Sequence, residues 1–292
     1  MQTESGAIMT LIDLHIHTTA SDGLSQPPDL IAQVRAAGIT TFAVTDHDTV
    51  AAVATVSKLA LDAGLTFVPG IEITAVDGAR DVHVLGYFID PVCPALLAFL
   101  EGSQRDRLRR GRRMCEQLTA AGAPLEFESL QSEFPGAGGR VITRPIVADA
   151  LVKAGHVATR QEAFDRFLAD GRPGYVPRIG ASPADVVSMI RSAGGLASLA
   201  HPGATGRDDL IGPLVDAGLD AIECFHSDHS AAETSRYLAL ADKHGLAVSG
   251  GSDFHGVGTR RAASFGRIGL PAEHYVTLAA RHEVIRRSTL QA

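Results

Sequence analysis

Apolar and polar positions alternate along the chain in two registers, and the switching between them predicts the fold. The aliphatic runs "LIDLHIH" (11–17), "TFAVTDHD" (41–48), "LTFVPGIEIT" (65–74) and "DVHVLGYFI" (81–89) have the length and branching of buried strands. "PPDLIAQVRAAG" and "TVAAVATVSKLALDAG" separate the first three, and each carries apolar residues at helical spacing and ends in Gly. The pattern resumes after residue 182, where "PADVVSMIRSAGG" leads to "LASLAHPG", "DDLIGPLVDAG" to "LDAIECFHS", and "AAETSRYLALADKHG" to "LAVSGGSDFH". Helices that end in Gly and feed strands ending in polar residues are βα units on a parallel sheet. About seven such units predict an α/β fold, a distorted (β/α)7 TIM-like barrel that works at the C-terminal ends of its strands.

Residues 94–182 interrupt this alternation with helical stretches such as "PALLAFLEGSQRDRLRRGRRMCEQLTAAG", "RPIVADALVKAG" and "RQEAFDRFLADG", a Gly-rich turn "PGAGG" and a linker "GRPGYVPRIGASP". The expected organisation is a discontinuous barrel domain, 10–93 and 183–285, with 94–182 as a helical, substrate-recognising insertion over the C-terminal face.

Charge and histidine are divided along the same boundary. The insertion holds 13 Lys+Arg against 10 Asp+Glu, a balance of +3, whereas the remainder holds 13 against 23, a balance of −10. Eleven of the 12 histidines also lie outside it, His156 being the exception. A net charge of −7 argues against general capture of a nucleic-acid backbone, so no stable nucleic-acid complex is expected. "RDRLRRGRR" (105–113) is then expected to be a solvated helix face rather than an RNA-binding stripe. The three cysteines form no CxxC, and the N-terminus has neither a basic n-region nor a long apolar run, so a cytoplasmic protein without membrane attachment is expected.

The polar residues at the strand ends carry the chemistry. Side chains at i and i+2 of a strand share a face, so His15 and His17 converge, as do Asp253 and His255. His15, His17, His47, Glu72, His83, His201, Glu223, Asp253 and His255 all fall at or just past predicted strand ends, and the nine candidate ligands among such residues are His15, His17, Asp22, His47, Glu72, His83, His201, Asp253 and His255. Imidazole nitrogens and carboxylate oxygens suit Mn, Zn or Fe, and this number of them suits a cluster rather than one ion. Asp13, Asp46 and Asp48 alternate with these residues, which points them to the opposite face or the rim, either to hydrogen-bond imidazoles or to serve as plain cap and turn residues.

The ordered motifs HxHxxxxD, TDHD, GxE, a lone His, AHPG and SDFH resemble those of the polymerase-and-histidinol-phosphatase (PHP) family of metal-dependent phosphoesterases. "GRPGYVP", "GSDFH" and the insertion after His83 are similar to the branch with nucleoside 3′,5′-bisphosphate phosphatases, AMP phosphatases and a 5′-3′ exoribonuclease. The resemblance implies three divalent metals, with manganese leading and zinc and iron as alternatives. It places His15, His17, Glu72 and Asp253 on the first, Glu72 as a bridge with His83 and His201 on the second, and Asp22, His47 and His255 on the third. A metal-bridging hydroxide would attack phosphorus, with His229, Asp253 and His255 as the catalytic residues and His229 as the leaving-group acid; His226 is its local competitor.

Phosphate recognition calls for guanidinium groups facing the metals. Arg140, Arg144 and Arg178 are available, and the resemblance favours Arg144; Arg178 and His229 complete the expected substrate-binding set. Where the branch has Arg-x-His this chain has "TRPIV", with Ile146 in place of the imidazole. The leading expected activity is removal of the 3′-phosphate from a nucleoside 3′,5′-bisphosphate, with AMP or another small phosphomonoester, or short RNA cut 5′ to 3′, as alternatives. A non-catalytic metal-binding module would show missing ligands, and none of the nine is missing. Amide hydrolysis would want a lysine near the metals, and Lys58, Lys153 and Lys243 all fall in predicted helices.

Overall fold

In the computed structural model, which describes residues 11–78, 80–133 and 142–290, seven strands form one curved sheet in sequence order: β1 (Leu11–Asp13), β2 (Ile39–Val44), β3 (Thr66–Asp77), β4 (Arg80–Tyr87), β5 (Leu196–Leu199), β6 (Ala221–His226) and β7 (Ala247–Gly251). The chain beyond β1 meets the chain beyond β7, where Leu14 N–H donates to Gly250 C=O (3.1 Å), His17 N–H donates to Phe254 C=O (2.9 Å), and Ile16 bridges Phe254. These contacts close the barrel. Gly251 permits the approach, because a Cβ there would stand 2.4 Å from the His15 nitrogen.

One strand departs from the all-parallel barrel. β4 is antiparallel to both β3 and β5, and no helix separates it from β3. Asp77 pairs with Arg80, and Gly78 between them stands at φ +61°, a conformation that glycine adopts without strain, so the glycine there is a hairpin signal. Helices such as Pro27–Ala36, Val53–Asp62, Pro183–Ser192 and Ala231–His244 cover the outside. Their apolar faces pack with the strands into two buried clusters, one around Leu14, Ile73, Val84 and Ile222, the other around Ile16, Phe42, Val56 and Phe254.

The insertion is entered by a single helix, Pro94–Ala120, roughly 40 Å long at 1.5 Å per residue. Its first turns bury Leu96 and Leu100 in the barrel core, whereas Met114, Cys115 and Leu118 belong to a separate cluster with Phe127, Val147, Leu151 and Leu168. The segment thus has its own apolar core, which begins about two-thirds of the way along that helix rather than at residue 94. Among the described residues no helix is long and apolar enough to cross a membrane. The Gly-rich turn "PGAGG" and Arg140 lie outside the described residues.

Candidate metal centre and the cavity above it

Glu72 is the hub of the strand ends. It is 1% exposed on β3, behind Gly70, where a Cβ would press to 2.9 Å on Val44 C=O. Its Oε2 lies 3.2 Å from His15 Nε2, 3.3 Å from His17 Nε2 and 3.2 Å from His47 Nδ1. Its Oε1 lies 2.8 Å from His83 Nδ1 and 3.0 Å from His201 Nε2. Five imidazoles from four segments therefore meet one carboxylate.

A second carboxylate closes the opposite side. Asp253 Oδ1 lies 3.4 Å from His15 Nε2, 3.2 Å from His17 Nε2 and 3.3 Å from His255 Nδ1. Asp22 lies beside His17 Nδ1 (3.6 Å), His47 Nε2 (3.9 Å) and His255 Nε2 (3.3 Å) and is the most exposed of the group. The structure thus brings together all nine residues singled out from the sequence. The alternation explains why: Leu14 and Ile16, between and beside the two histidines, point the other way into the two cores.

The donor set fits divalent metal. His17, Asp22, His47 and His255 offer ligand atoms within 4.8 Å of one another, as do His15, His17 and Asp253, and His47, Glu72 and His83. Both ring nitrogens of His17, Nδ1 of His47 and of His201, and Oδ1 of Asp253 are buried without a hydrogen-bond partner. Such groups are costly to bury unless something else binds them, and nitrogens and oxygens aimed at common points are what a cation requires. Proton affinities reflect the crowding. Burial alone would keep His17 neutral, but Asp253 and Glu72 outweigh it and raise its pKa to about 10. Burial likewise opposes ionisation of Glu72, yet His47, His83 and His15 hold it well below the usual carboxylate range. His47 goes the other way, down to about 4, because burial is joined by repulsion from His17 and His83.

Of the two roles open to the alternating aspartates, the structure shows the one of cap and turn residues. Asp46 accepts from Thr18 N–H, Thr18 Oγ1 and Ser21 Oγ, each at 2.7 Å, and Asp13 accepts from His15 N–H (3.2 Å) and Ser252 N–H (2.9 Å). Asp48, at φ +52°, accepts from Thr74 N–H and Oγ1 (both 3.0 Å) and pairs with Arg107. All three fix backbone, hydroxyl or guanidinium groups rather than imidazoles. The carboxylate that orients imidazole is Glu223, fully buried on β6, which faces His15 Nδ1 at 2.9 Å and accepts from His201 N–H at 2.7 Å. Glu223→Gln is expected to weaken manganese binding roughly 10- to 100-fold, because His15 loses the acceptor that fixes its tautomer and ring plane. Titration against a competing chelator checks this; unchanged affinity would remove Glu223 from that role.

His226 Nε2 (3.2 Å) and the Arg261 guanidinium occupy the other oxygen of Asp253, Oδ2. Arg261 had no sequence signal. His229 is placed away from the role expected of it: Nδ1–H donates to Cys224 C=O (2.9 Å) and Nε2 accepts from Gly203 N–H (3.2 Å). With both nitrogens bound to backbone it ties the end of β6 to the turn after His201, and no free nitrogen is left to protonate a leaving group.

Above the candidate centre lies a cavity of about 640 Å³ that joins the cluster of candidate ligands to the insertion. Asp22, His47 and His83 line its floor, and Arg107, Arg110, Arg144, Arg178 and Ile146 line its walls. Arg178 pairs with Asp81, and Arg144 lies 3.4 Å from Asp170 and over the Tyr175 ring. The stretch 105–113 is therefore not wholly a solvated face, because Arg107 and Arg110 turn inward while Arg105, Arg109, Arg112 and Arg113 face solvent.

Comparison with known proteins points the same way. The family model described as "PHP domain" matches residues 13–164. A 3′,5′-nucleoside bisphosphate phosphatase of Chromobacterium violaceum is 37% identical over 263 residues, covering 86% of this chain and 89% of that protein. The 5′-3′ exoribonuclease Rnm of Salmonella typhimurium is 36% identical over 252 residues, 84% of this chain and 85% of its own. The crystal structure of a metal-dependent phosphoesterase from Bifidobacterium adolescentis superposes with a TM-score of 0.76 at 31% identity, covering 93% of this chain and 96% of that one.

Proposed function

This chain belongs to the PHP-domain family and is a metal-dependent phosphoesterase, and from that premise we propose that it removes the 3′-phosphate from a nucleoside 3′,5′-bisphosphate. The observation that carries the proposal is the cavity with two poles, ligand-type carboxylates and imidazoles on its floor and guanidinium groups on its walls. A substrate with two phosphates has one group for each pole. The bisphosphate phosphatase of Chromobacterium violaceum, at 37% identity, supports the same substrate.

We assign the metal-binding roles as three divalent ions, manganese leading and zinc and iron accepted by the same donors. His15, His17, Glu72 and Asp253 would hold the first, Glu72 with His83 and His201 the second, and Asp22, His47 and His255 the third. When bound, such ions neutralise phosphoryl oxygens and acidify water. The chain's own residues do the rest. Glu223 orients His15, His226 and Arg261 hold Asp253 by its outer oxygen, and Arg144 and Arg178 take the phosphate that is not cleaved, with bidentate guanidinium geometry suited to it. Ile146 gives this wall an apolar patch where the branch has an imidazole, which suits a base or sugar face better than an anion.

A second reading, 5′-3′ trimming of short RNA, is favoured by one observation. A neighbouring groove of about 740 Å³ shares Arg107, Arg110 and Arg178 with the cavity and adds Arg109, Arg112 and Arg113. One experiment separates the two: phosphate release by manganese-loaded wild type and Arg144→Ala from adenosine 3′,5′-bisphosphate, AMP, histidinol phosphate and a short 5′-phosphorylated RNA. Wild type is expected to prefer the bisphosphate, and Arg144→Ala to lose about 10- to 100-fold on it and less than about 3-fold on AMP. Activity that rises with RNA length would move the assignment to the second reading, and equal losses on both nucleotides would take Arg144 out of second-phosphate binding.

A further inference from the structure

The four guanidinium groups lining the cavity are not equivalent. Arg107 is closed onto Asp48, Arg178 onto Asp81, and Arg144 faces Asp170 at 3.4 Å. Arg110 has no ion-pair partner among the described residues. Its Nε–H donates to Val176 C=O at 2.8 Å, which fixes the plane of the guanidinium and leaves its two terminal nitrogens without a hydrogen bond among the described residues. It stands one turn along the Pro94–Ala120 helix from Arg107, half-buried, in the wall of the same cavity.

We propose that Arg110 is a substrate-binding residue: its terminal guanidinium nitrogens, together with Arg144 and Arg178, receive the phosphate that is not cleaved. This rests on the two-phosphate substrate proposed above and adds a residue on the insertion helix that neither the sequence motifs nor the resemblance point to. Three like charges lining one partly enclosed space repel one another, and a dianion placed among them relieves that repulsion while satisfying fixed donors. The proton affinity of Arg110 reflects the same crowding, since burial, then Arg178, then Arg144 bring it down to about 10. Arg144 and Arg178 must break or share a carboxylate to bind an anion; Arg110 needs no such exchange. Its orientation is set by Val176 in advance, so little freedom is lost on binding.

The test compares wild type, Arg110→Gln, Arg110→Lys and Arg105→Gln in the manganese-loaded protein. Arg105 is on the same helix, faces solvent, lies 3.6 Å from Glu101 and lines neither the cavity nor the neighbouring groove, so it reports the loss of one positive charge without loss of the seat. With adenosine 3′,5′-bisphosphate, Arg110→Gln is expected to lower kcat/KM about 10- to 100-fold, mainly through KM, while 3′-AMP changes less than about 3-fold. Arg110→Lys should fall between, and Arg105→Gln should match wild type on both. Equal losses on the two substrates, or none on either, would overturn the proposal. A wild type with no preference for the bisphosphate would defeat the substrate assignment instead. Calorimetric binding of adenosine 3′,5′-bisphosphate and 3′-AMP then judges Arg110 by itself: binding of the bisphosphate that is selectively weakened in Arg110→Gln supports the seat, and affinities unchanged from wild type, or no binding by wild type, rule it out.

Discussion

Glu72→Gln is expected to lower kcat/KM for phosphate release on the order of 10³-fold and to leave the protein short of metal, although glutamine has the same shape and Glu72 is only 1% exposed. The size of the effect follows from geometry. One carboxylate oxygen stands 3.2–3.3 Å from nitrogens of His15, His17 and His47, and the other 2.8 and 3.0 Å from His83 and His201. An amide nitrogen in either position directs N–H groups toward nitrogens that must offer lone pairs to a cation, and it removes the negative charge shared by the first and second proposed ions. Two measurements check this together, metal per chain by elemental analysis and phosphate release at saturating manganese. A variant that keeps its full metal complement and acts within about tenfold of wild type would show that Glu72 is not the shared carboxylate.

The effect is also expected to be confined to the loaded protein. Glu72 in the metal-free chain is surrounded by imidazoles whose proton affinities it raises, His83 and His15 among them, so glutamine there lets those rings go neutral rather than leaving them charged and unpaired. Metal-free wild type and variant should therefore melt within a few degrees of each other, and the stabilisation that manganese gives wild type should be much smaller in Glu72→Gln.

The convergence of the nine candidate ligands was legible in the sequence because strand alternation is strict and strand ends are where βα barrels place chemistry. His15 and His17 could face the same way only if Leu14 and Ile16 faced the cores, and the hydrophobicity of those two residues says that they do. Strand position pointed to Glu223 and His226 but not to the parts they play, which depend on a local break in regularity. Glu223 and His226 are three residues apart and would lie on opposite faces of a regular strand; the bulge between Glu223 and Phe225 turns both toward His15. The antiparallel β4 did have a signal, Gly78 between two apolar runs that no helical stretch separates. Arg107 and Arg110 escaped because cations occur on every side of the 105–113 helix, so its period carries no information about which side faces the barrel. Arg261 follows a turn whose direction only the closed barrel determines.

Asp253→Ala is expected to destabilise the metal-free protein by about 3 kcal/mol as well as abolishing phosphate release, and the two losses should separate on further substitution. Asp253 is buried with its oxygens divided. Oδ1 faces His15, His17 and His255, while Oδ2 takes His226 Nε2 and the Arg261 guanidinium. Alanine removes the ligand and leaves Arg261, whose side chain is 17% exposed, with Asp228 (2.6 Å) as its remaining carboxylate. The backbone adds to the loss, because residue 253 sits at φ +54°, a conformation that Asp and Asn tolerate better than Ala. Asp253→Asn should consequently lose the activity with a smaller loss of stability. Removing Arg261 from the alanine variant should return part of the stability and none of the activity, since Asp253→Ala/Arg261→Met no longer holds a partly buried cation that has lost one of its two carboxylates. Urea unfolding of the four metal-free proteins, wild type, Asp253→Ala, Arg261→Met and the double variant, measures the coupling directly. Losses that simply add would mean that Arg261 belongs to the Asp228 surface pair alone and does not hold Asp253 in place.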